Sequence, residues 1–257
     1  MFINKTKIMP EFKLPTETIK LPSKGLVYPK ENPLSSGEIE MKYMTAREED
    51  ILTNTNFLKS GVVFDKLFQS MIISKINYDD LISGDKDAIM VAARILGYGK
   101  NYPIKYPNPN TGQEEDFVVD LSKIEDKKVD FNLYKNTNEV YFKLPNTGND
   151  VTFKLLTHGD EKTIDQDLNS LKKINVSSEI TTRLKHQITS VNGDRDKKTI
   201  RDFVDNGLLA VDSVALRKYM KDVSPGLDLR FTFVGSDGYV EEGVSLPIGI
   251  SFFYPTL

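Results

Sequence analysis

Five prolines, at positions 10, 15, 22, 29 and 33, fall within the first 44 residues. Each fixes its own φ, removes a backbone N–H and pushes the preceding residue toward extended backbone, so this segment can form neither a long helix nor an inner sheet strand. Yet its middle, LPSKGLVYP (21–29), carries Leu21, Leu26, Val27 and Tyr28 around Gly25. An apolar segment that builds neither element needs something to lie on, either the body of its own chain or another chain. Residues 1–44 are therefore expected to form an extended arm with one strand of its own, the alternating GEIEMKYM (37–44). Packing onto the body is the first expectation for Leu26 and Tyr28. Partner contact is the first expectation for residues 1–20, which hold few apolar anchors.

Beyond the arm the patterning switches between periods. Thr45-Ala46-Arg47-Glu48 has the spacing of a capping box and predicts a helix start. Two more helices are expected near 61–74 and 85–97, the second burying Ile89, Ala92, Ala93 and Leu96 and stopping at Gly97 and Gly99. YPIKYP and EDFVVDL around NPNTGQE predict one β-hairpin, and VYFKLP and VTFKLLT around NTGND a second. Residues 159–222 read as about four helices: DEKTIDQDLNSLKK capped by Asp160, SSEITTRLKHQITS, DKKTIRDFVDNGLL, and VDSVALRKYMKDV started by Asp212 or Ser213. LDLRFTFV and VSLPIGISFF, with the turn Ser236-Asp237-Gly238, predict a closing hairpin. This order predicts an α+β fold in five sections: an arm (1–44), a helical section (45–100), central hairpins (101–158), a second helical section (159–226) and the closing hairpin (227–257).

Composition excludes several chemistries. There are no cysteines, which removes disulfides, thiolate metal sites and thiol nucleophiles. Lys and Arg number 34 against 37 Asp and Glu, a net charge of −3 without a run of five like charges, which argues against nucleic acid as the main partner. No apolar window reaches membrane-spanning length and the N-terminus lacks a signal-peptide pattern, so an intracellular soluble protein is expected. The two histidines, His158 and His186, fall on different predicted elements and no H-E-x-x-H spacing occurs, so no metal or other cofactor is expected. Gly97-Tyr98-Gly99-Lys100 lacks P-loop spacing, and VNGDRDKKTIRDF lacks the order of a calcium loop. Paired acids such as Glu48 and Glu49 are sequence neighbours and read as solvated faces, and no G-x-S-x-G elbow is present. His158 is expected to be a strand-end residue ahead of a capped helix. The competing reading makes His158 and Asp160 the working pair of a small metal-free hydrolase or transferase. A nucleic-acid-associated structural protein is a third reading.

The chain resembles the baseplate proteins of T-even-type contractile-tailed phages that act at the baseplate hub. The resemblance rests on LPSKGLVYP followed by GEIEMKYMTAREEDILTN (37–54), LISGDKDAIMVAARILGYG (81–99), DSVALRKYMKDVSPGLD (212–228) and LPIGISFFYP (246–255). It implies a structural or assembly role without a reaction, with other hub and tail proteins as partners and no nucleic acid, membrane or small-molecule substrate. The implied location is the host cytoplasm during assembly, with the virion baseplate as the alternative. It also implies that relatives carry Cys pairs where this chain has YPNPNTGQ (106–113) and FVGSDGY (233–239), a zinc role that does not transfer to a chain without thiols. Read as a strand, Phe252-Phe253-Tyr254 places Phe253 outward. Because LPSKGLVYP and SFFYP are the least explained apolar segments, Leu26, Tyr28, Phe253 and Tyr254 are the expected partner-binding residues.

Overall fold

A computed structural model describes residues 14–173, 175 and 177–254 of the chain. The fold is α+β, with helices and small antiparallel sheets around one continuous apolar core that runs from Leu21 to Phe253. Residues 1–13, where most of the expected partner contact of the arm would fall, lie outside the described residues. Residues 14–20 are more regular than expected: β1 (Thr16–Lys20) pairs antiparallel with β2 (Glu38–Lys42), with Ile19 opposite Ile39. Proline excludes the segment from an inner strand but leaves it free to form one edge of a two-stranded ribbon.

The loop between β1 and β2 holds LPSKGLVYP against the body. Leu21, Val27 and Tyr28 are buried and Leu26 is half-buried. What holds the loop is polar. The buried Asp85 carboxylate accepts Ser23 N–H at 2.9 Å, the Ser23 hydroxyl at 2.7 Å and the Tyr28 hydroxyl at 2.6 Å. Burial pushes the Asp85 carboxyl upward, and the donors from Tyr28 and Ser23 pull it back. The Tyr28 oxygen in turn accepts Ile82 N–H at 3.2 Å. Gly25 has φ 74°, and a Cβ there would meet the Ser35 carbonyl, so the turn inside the loop requires glycine.

Helices α1 (Ala46–Thr53), α2 (Thr55–Lys59) and α3 (Val63–Met71) follow, then α4 (Ser83–Tyr98), whose buried face includes Ile89, Ala92, Ala93 and Leu96. At the first of these the Glu48 carboxylate reaches back to Thr45 N–H at 3.0 Å and takes the Thr45 hydroxyl at 2.6 Å. Helix α4 runs through Gly97 and stops at Gly99, where Arg94 donates to the exposed carbonyl at 3.0 Å. The hairpin β3 (Asn101–Pro107) with β4 (Glu114–Asp120) pairs Ile104 with Phe117. The next hairpin, β5 (Val140–Lys143) with β6 (Asp150–Phe153), gains a third strand.

The second helical section differs from expectation at one strand, one turn and two helix starts. Helices α5 (His158–Lys172) and α6 (Glu179–Gln187) form, but the end of SSEITTRLKHQITS leaves the helix as β7 (Ile188–Val191), which pairs with β6. Its β-branched run, Ile188-Thr189, fits a pleated surface better than a further helical turn. Helix α7 (Lys197–Asp202) passes into a π turn (Phe203–Gly207), and α8 (Ala210–Val223) starts before Asp212, which sits in the third helical position. Asp160 likewise occupies the third position of α5, behind the Thr157 cap whose hydroxyl accepts its N–H at 3.2 Å.

The closing hairpin is β8 (Arg230–Val234) with β9 (Val240–Ser245), shorter than the alternation suggested. Pro247 interrupts the second run, and residues Ile250–Phe253 form a 3-10 turn. Among the described residues no helix is long and apolar enough to cross a membrane.

The body closes on a backbone contact. Gly84, in the first turn of α4, faces Pro225 and Gly226 so closely that a Cβ at Gly84 would lie 1.9 Å from the Pro225 carbonyl oxygen. Neither backbone can retreat easily, because α4 is fixed by the Asp85 clasp and Gly226 O accepts Lys127 N–H at 2.8 Å. Gly84→Ala is therefore expected to cost at least about 3 kcal/mol. Chemical denaturation checks this, and a variant within experimental error of the parent would show that the contact is loose.

Candidate functional site

The four residues expected to face a partner divide into two classes. Tyr28 and Phe253 are 4% and 0% exposed, so neither presents surface, whereas Leu26 and Tyr254 are half-buried. The outward placement of Phe253 is corrected by the 3-10 turn, in which successive side chains do not alternate as they do along a strand. Phe253 packs 5.2 Å from Phe64 and 6.1 Å from Phe68, ring centre to ring centre, while Phe252 meets Tyr102 at 4.9 Å. The Tyr254 hydroxyl donates to the Leu52 carbonyl. Phe253 and Tyr254 thus seat on the N-terminal helices.

His158 and Asp160 have different partners. Asp160 accepts Lys154 Nζ at 2.7 Å and Thr157 N–H at 3.1 Å. His158 opens α5 rather than ending a strand, and it is buried. Its Nδ1 lies 3.0 Å from Lys86 Nζ, its Nε2 lies 3.6 Å from Asp65 and 3.9 Å from Asp79, and the Tyr78 ring packs edge-on at 4.8 Å. Tyr78 and Lys86 both donate to Asp65, at 2.9 and 3.0 Å. An ammonium at 3.0 Å makes Nδ1 the acceptor, which leaves the proton on Nε2, on the side of the two carboxylates. Burial and the Lys86 charge hold the His158 pKa below its ordinary 6.5, against the opposing pull of Asp65 and Asp79. This cluster joins α3, α4, the turn at 78–80 and α5. It can brace the two helical sections. Among the described residues no group of three or more His, Cys, Asp or Glu side chains converges as a metal set.

The two turns that the resemblance singles out do meet. The hairpins β3–β4 and β8–β9 pack through aromatic faces, Phe117 on Phe231 at 5.5 Å and Tyr106 on Phe233 at 4.8 Å. At their tips Asn108 Nδ2 donates to Glu115 at 2.7 Å and to Asp237 at 3.0 Å, and Asn110 Nδ2 donates to Asp237 at 2.5 Å. Ser236 N–H closes the circuit on Glu115 at 2.8 Å. Asparagine and carboxylate side chains tie the two turns in a chain without thiols.

Two surface features escaped the sequence reading. Leu209, Val211 and Val214 are all about half exposed at the start of α8. The signal for them is in AVDSVALRKYM, which carries more apolar residues than the one buried face through Leu216, Met220 and Val223 requires. The second is a groove between α5, α6, β7 and α7 that contains His186, which is paired with Asp167 at 2.9 Å. Its residues come from segments more than 40 positions apart, and no local pattern brings them together.

A neutral, braced His158 has a pH signature. The unfolded chain protonates this ring near 6.5, whereas the folded chain resists to a lower pH, so its contribution to stability is complete above 6.5 and declines as the pH falls below it. Denaturation midpoints are expected to drop between pH 7 and about 5, and His158→Gln is expected to flatten that part of the profile. An unchanged slope in the variant would show that His158 is not the titrating group.

A family model described as T4 bacteriophage base plate protein matches residues 15–243 of the chain. No curated protein and no solved structure matches it.

Proposed function

Because the chain belongs to the T4 bacteriophage base plate protein family, we propose that it works at the baseplate hub, as a structural component or assembly helper that binds neighbouring hub and tail proteins and carries out no reaction of its own. The observation that carries this reading is the family match from Pro15, just ahead of β1, to Gly243 in β9, which covers most of the fold described above. The arrangement of charged groups supports it. His158, Asp160, Asp85, Glu48 and Asp212 are each engaged by donors of their own chain, as structural anchors are. The alternative of a hydrolase using His158 and Asp160 draws less support, since each side chain is engaged by its own partners, Lys86 and Lys154. Assembly in the host cytoplasm at the forming baseplate belongs to the same proposal.

Leu26 and Tyr254 stay in the proposal as contact residues, because they keep accessible surface next to the segments that the core has absorbed. The test is co-expression of the tagged full chain with the neighbouring tail proteins, followed by affinity capture and mass measurement of the complex. A defined complex is expected, and Leu26→Ala and Tyr254→Ala are expected to weaken it while keeping the cooperative melting of the parent. A chain that captures none of these proteins at any stage of assembly would contradict a role in binding hub components.

A further inference from the structure

The groove between α5, α6, β7 and α7 has a volume of about 860 Å³. Its floor is apolar, with Ile188 and Ile200 buried beneath it. Its walls carry five cations, Lys154, Lys185, Arg195, Lys197 and Arg201, against two carboxylates, Asp160 and Asp167. Five positive charges less two negative leaves +3 on the lining, and +1 once Asp205 and Glu139, which pair with Lys185 and Arg195 from outside it, are counted, in a chain whose net charge is −3. The pairing is uneven as well. Lys154 is matched by Asp160 at 2.7 Å, whereas Lys185 and Arg195 use carboxylates outside the lining, Asp205 at 2.7 Å and Glu139 at 2.9 Å. Lys197 and Arg201 have no carboxylate within 4 Å among the described residues, and both are exposed on α7.

We propose that this groove receives an acidic segment of a partner protein, with an apolar side chain of that segment over Ile188 and Ile200 and its carboxylates on Lys197 and Arg201. An apolar floor with a cationic rim matches a peptide in which acidic and apolar residues are interleaved. A nucleic acid fits less well, because the lining holds no Phe, Tyr or Trp on which a base would stack. The inference rests on the assembly reading, and it adds the chemistry of the partner and the place where it docks.

The probe is a fluorescent peptide of alternating Glu and Leu, titrated onto the full chain and followed by anisotropy. A Lys and Leu peptide and a single-stranded oligonucleotide of equal charge to the acidic peptide serve as comparisons. The acidic peptide is expected to bind best. Its affinity is expected to fall about 10-fold or more in Lys197→Glu/Arg201→Glu, and to fall as added salt shortens the screening length from about 10 Å to about 3 Å. Lys197→Gln/Arg201→Gln is expected to show a smaller loss, and exposed positions on α7 make both variants compatible with normal melting. Equal binding by parent and Glu variant, or tighter binding of the oligonucleotide, would overturn the groove assignment. Affinity capture of tail proteins by the same chains separates the two readings. Capture without peptide binding rejects the groove alone, and peptide binding without capture supports the groove and counts against the assembly role.

Discussion

The buried carboxylate of Asp85 is the interaction on which the arrangement of this chain depends. A segment broken by Pro22 and Pro29 cannot join a sheet interior and folds into turns of its own, and Asp85 supplies the fixed acceptor that attaches those turns to the body through Ser23 and Tyr28. Other parts of the chain converge on the same short stretch. Leu81 O accepts His158 N–H at 2.8 Å, Ile82 bridges to Thr157, and Gly84 admits Pro225 and Gly226. Residues 81–85 therefore receive the arm, the start of α5 and the segment after α8. This explains why LISGD carries a glycine beside an aspartate: one lets a backbone approach and the other holds a loop.

Asp85 is one case of a repeated device. Glu48, Asp85, Asp160 and Asp212 all occupy the third position of a helix, where unpaired N–H groups and the positive end of the helix dipole favour a carboxylate. Two of them fold back on the preceding threonine. The other two reach across the structure, Asp85 to the arm and Asp212 to the N–H groups of Asn146 and Thr147 in the β5–β6 turn, at 2.9 and 3.0 Å. Glu48 does both, since Lys42 and Ser70 also donate to it, and these donors outweigh the upward push of burial to hold its pKa at about 2. Helix starts in this chain thus act as attachment points for loops.

Local signals explain what was legible in the sequence. The helical period of Ile89, Ala92, Ala93 and Leu96 and the turn NPNTGQE produced α4 and the β3–β4 hairpin as read, and SDG located the turn between β8 and β9. The failures have a common cause in tertiary choice. Ile188 to Val191 could extend a helix on pattern alone, and it became a strand because β6 offered an open edge. Ile250 to Phe253 continued an alternation that Pro247 had already broken. The partner-facing roles expected for Tyr28 and Phe253 rested on the assumption that an apolar segment unable to form an element lies at the surface. Burial instead came from an acceptor 57 positions away for Tyr28 and from Phe64 and Phe68 for Phe253. The basic groove was illegible for the same reason, as its charges are scattered along the chain and only the packing of α5, α6 and α7 collects them.

A double-mutant cycle between Tyr28 and Asp85 tests the central claim most directly. Unfolding free energies of the parent, Tyr28→Phe, Asp85→Asn and the double variant isolate the coupling between the hydroxyl and the carboxylate. A clasp that organises the arm predicts a coupling of about 1.5–3 kcal/mol, the range for a hydrogen bond to a charged group. Additive losses would contradict it, showing that the arm is held by apolar burial alone.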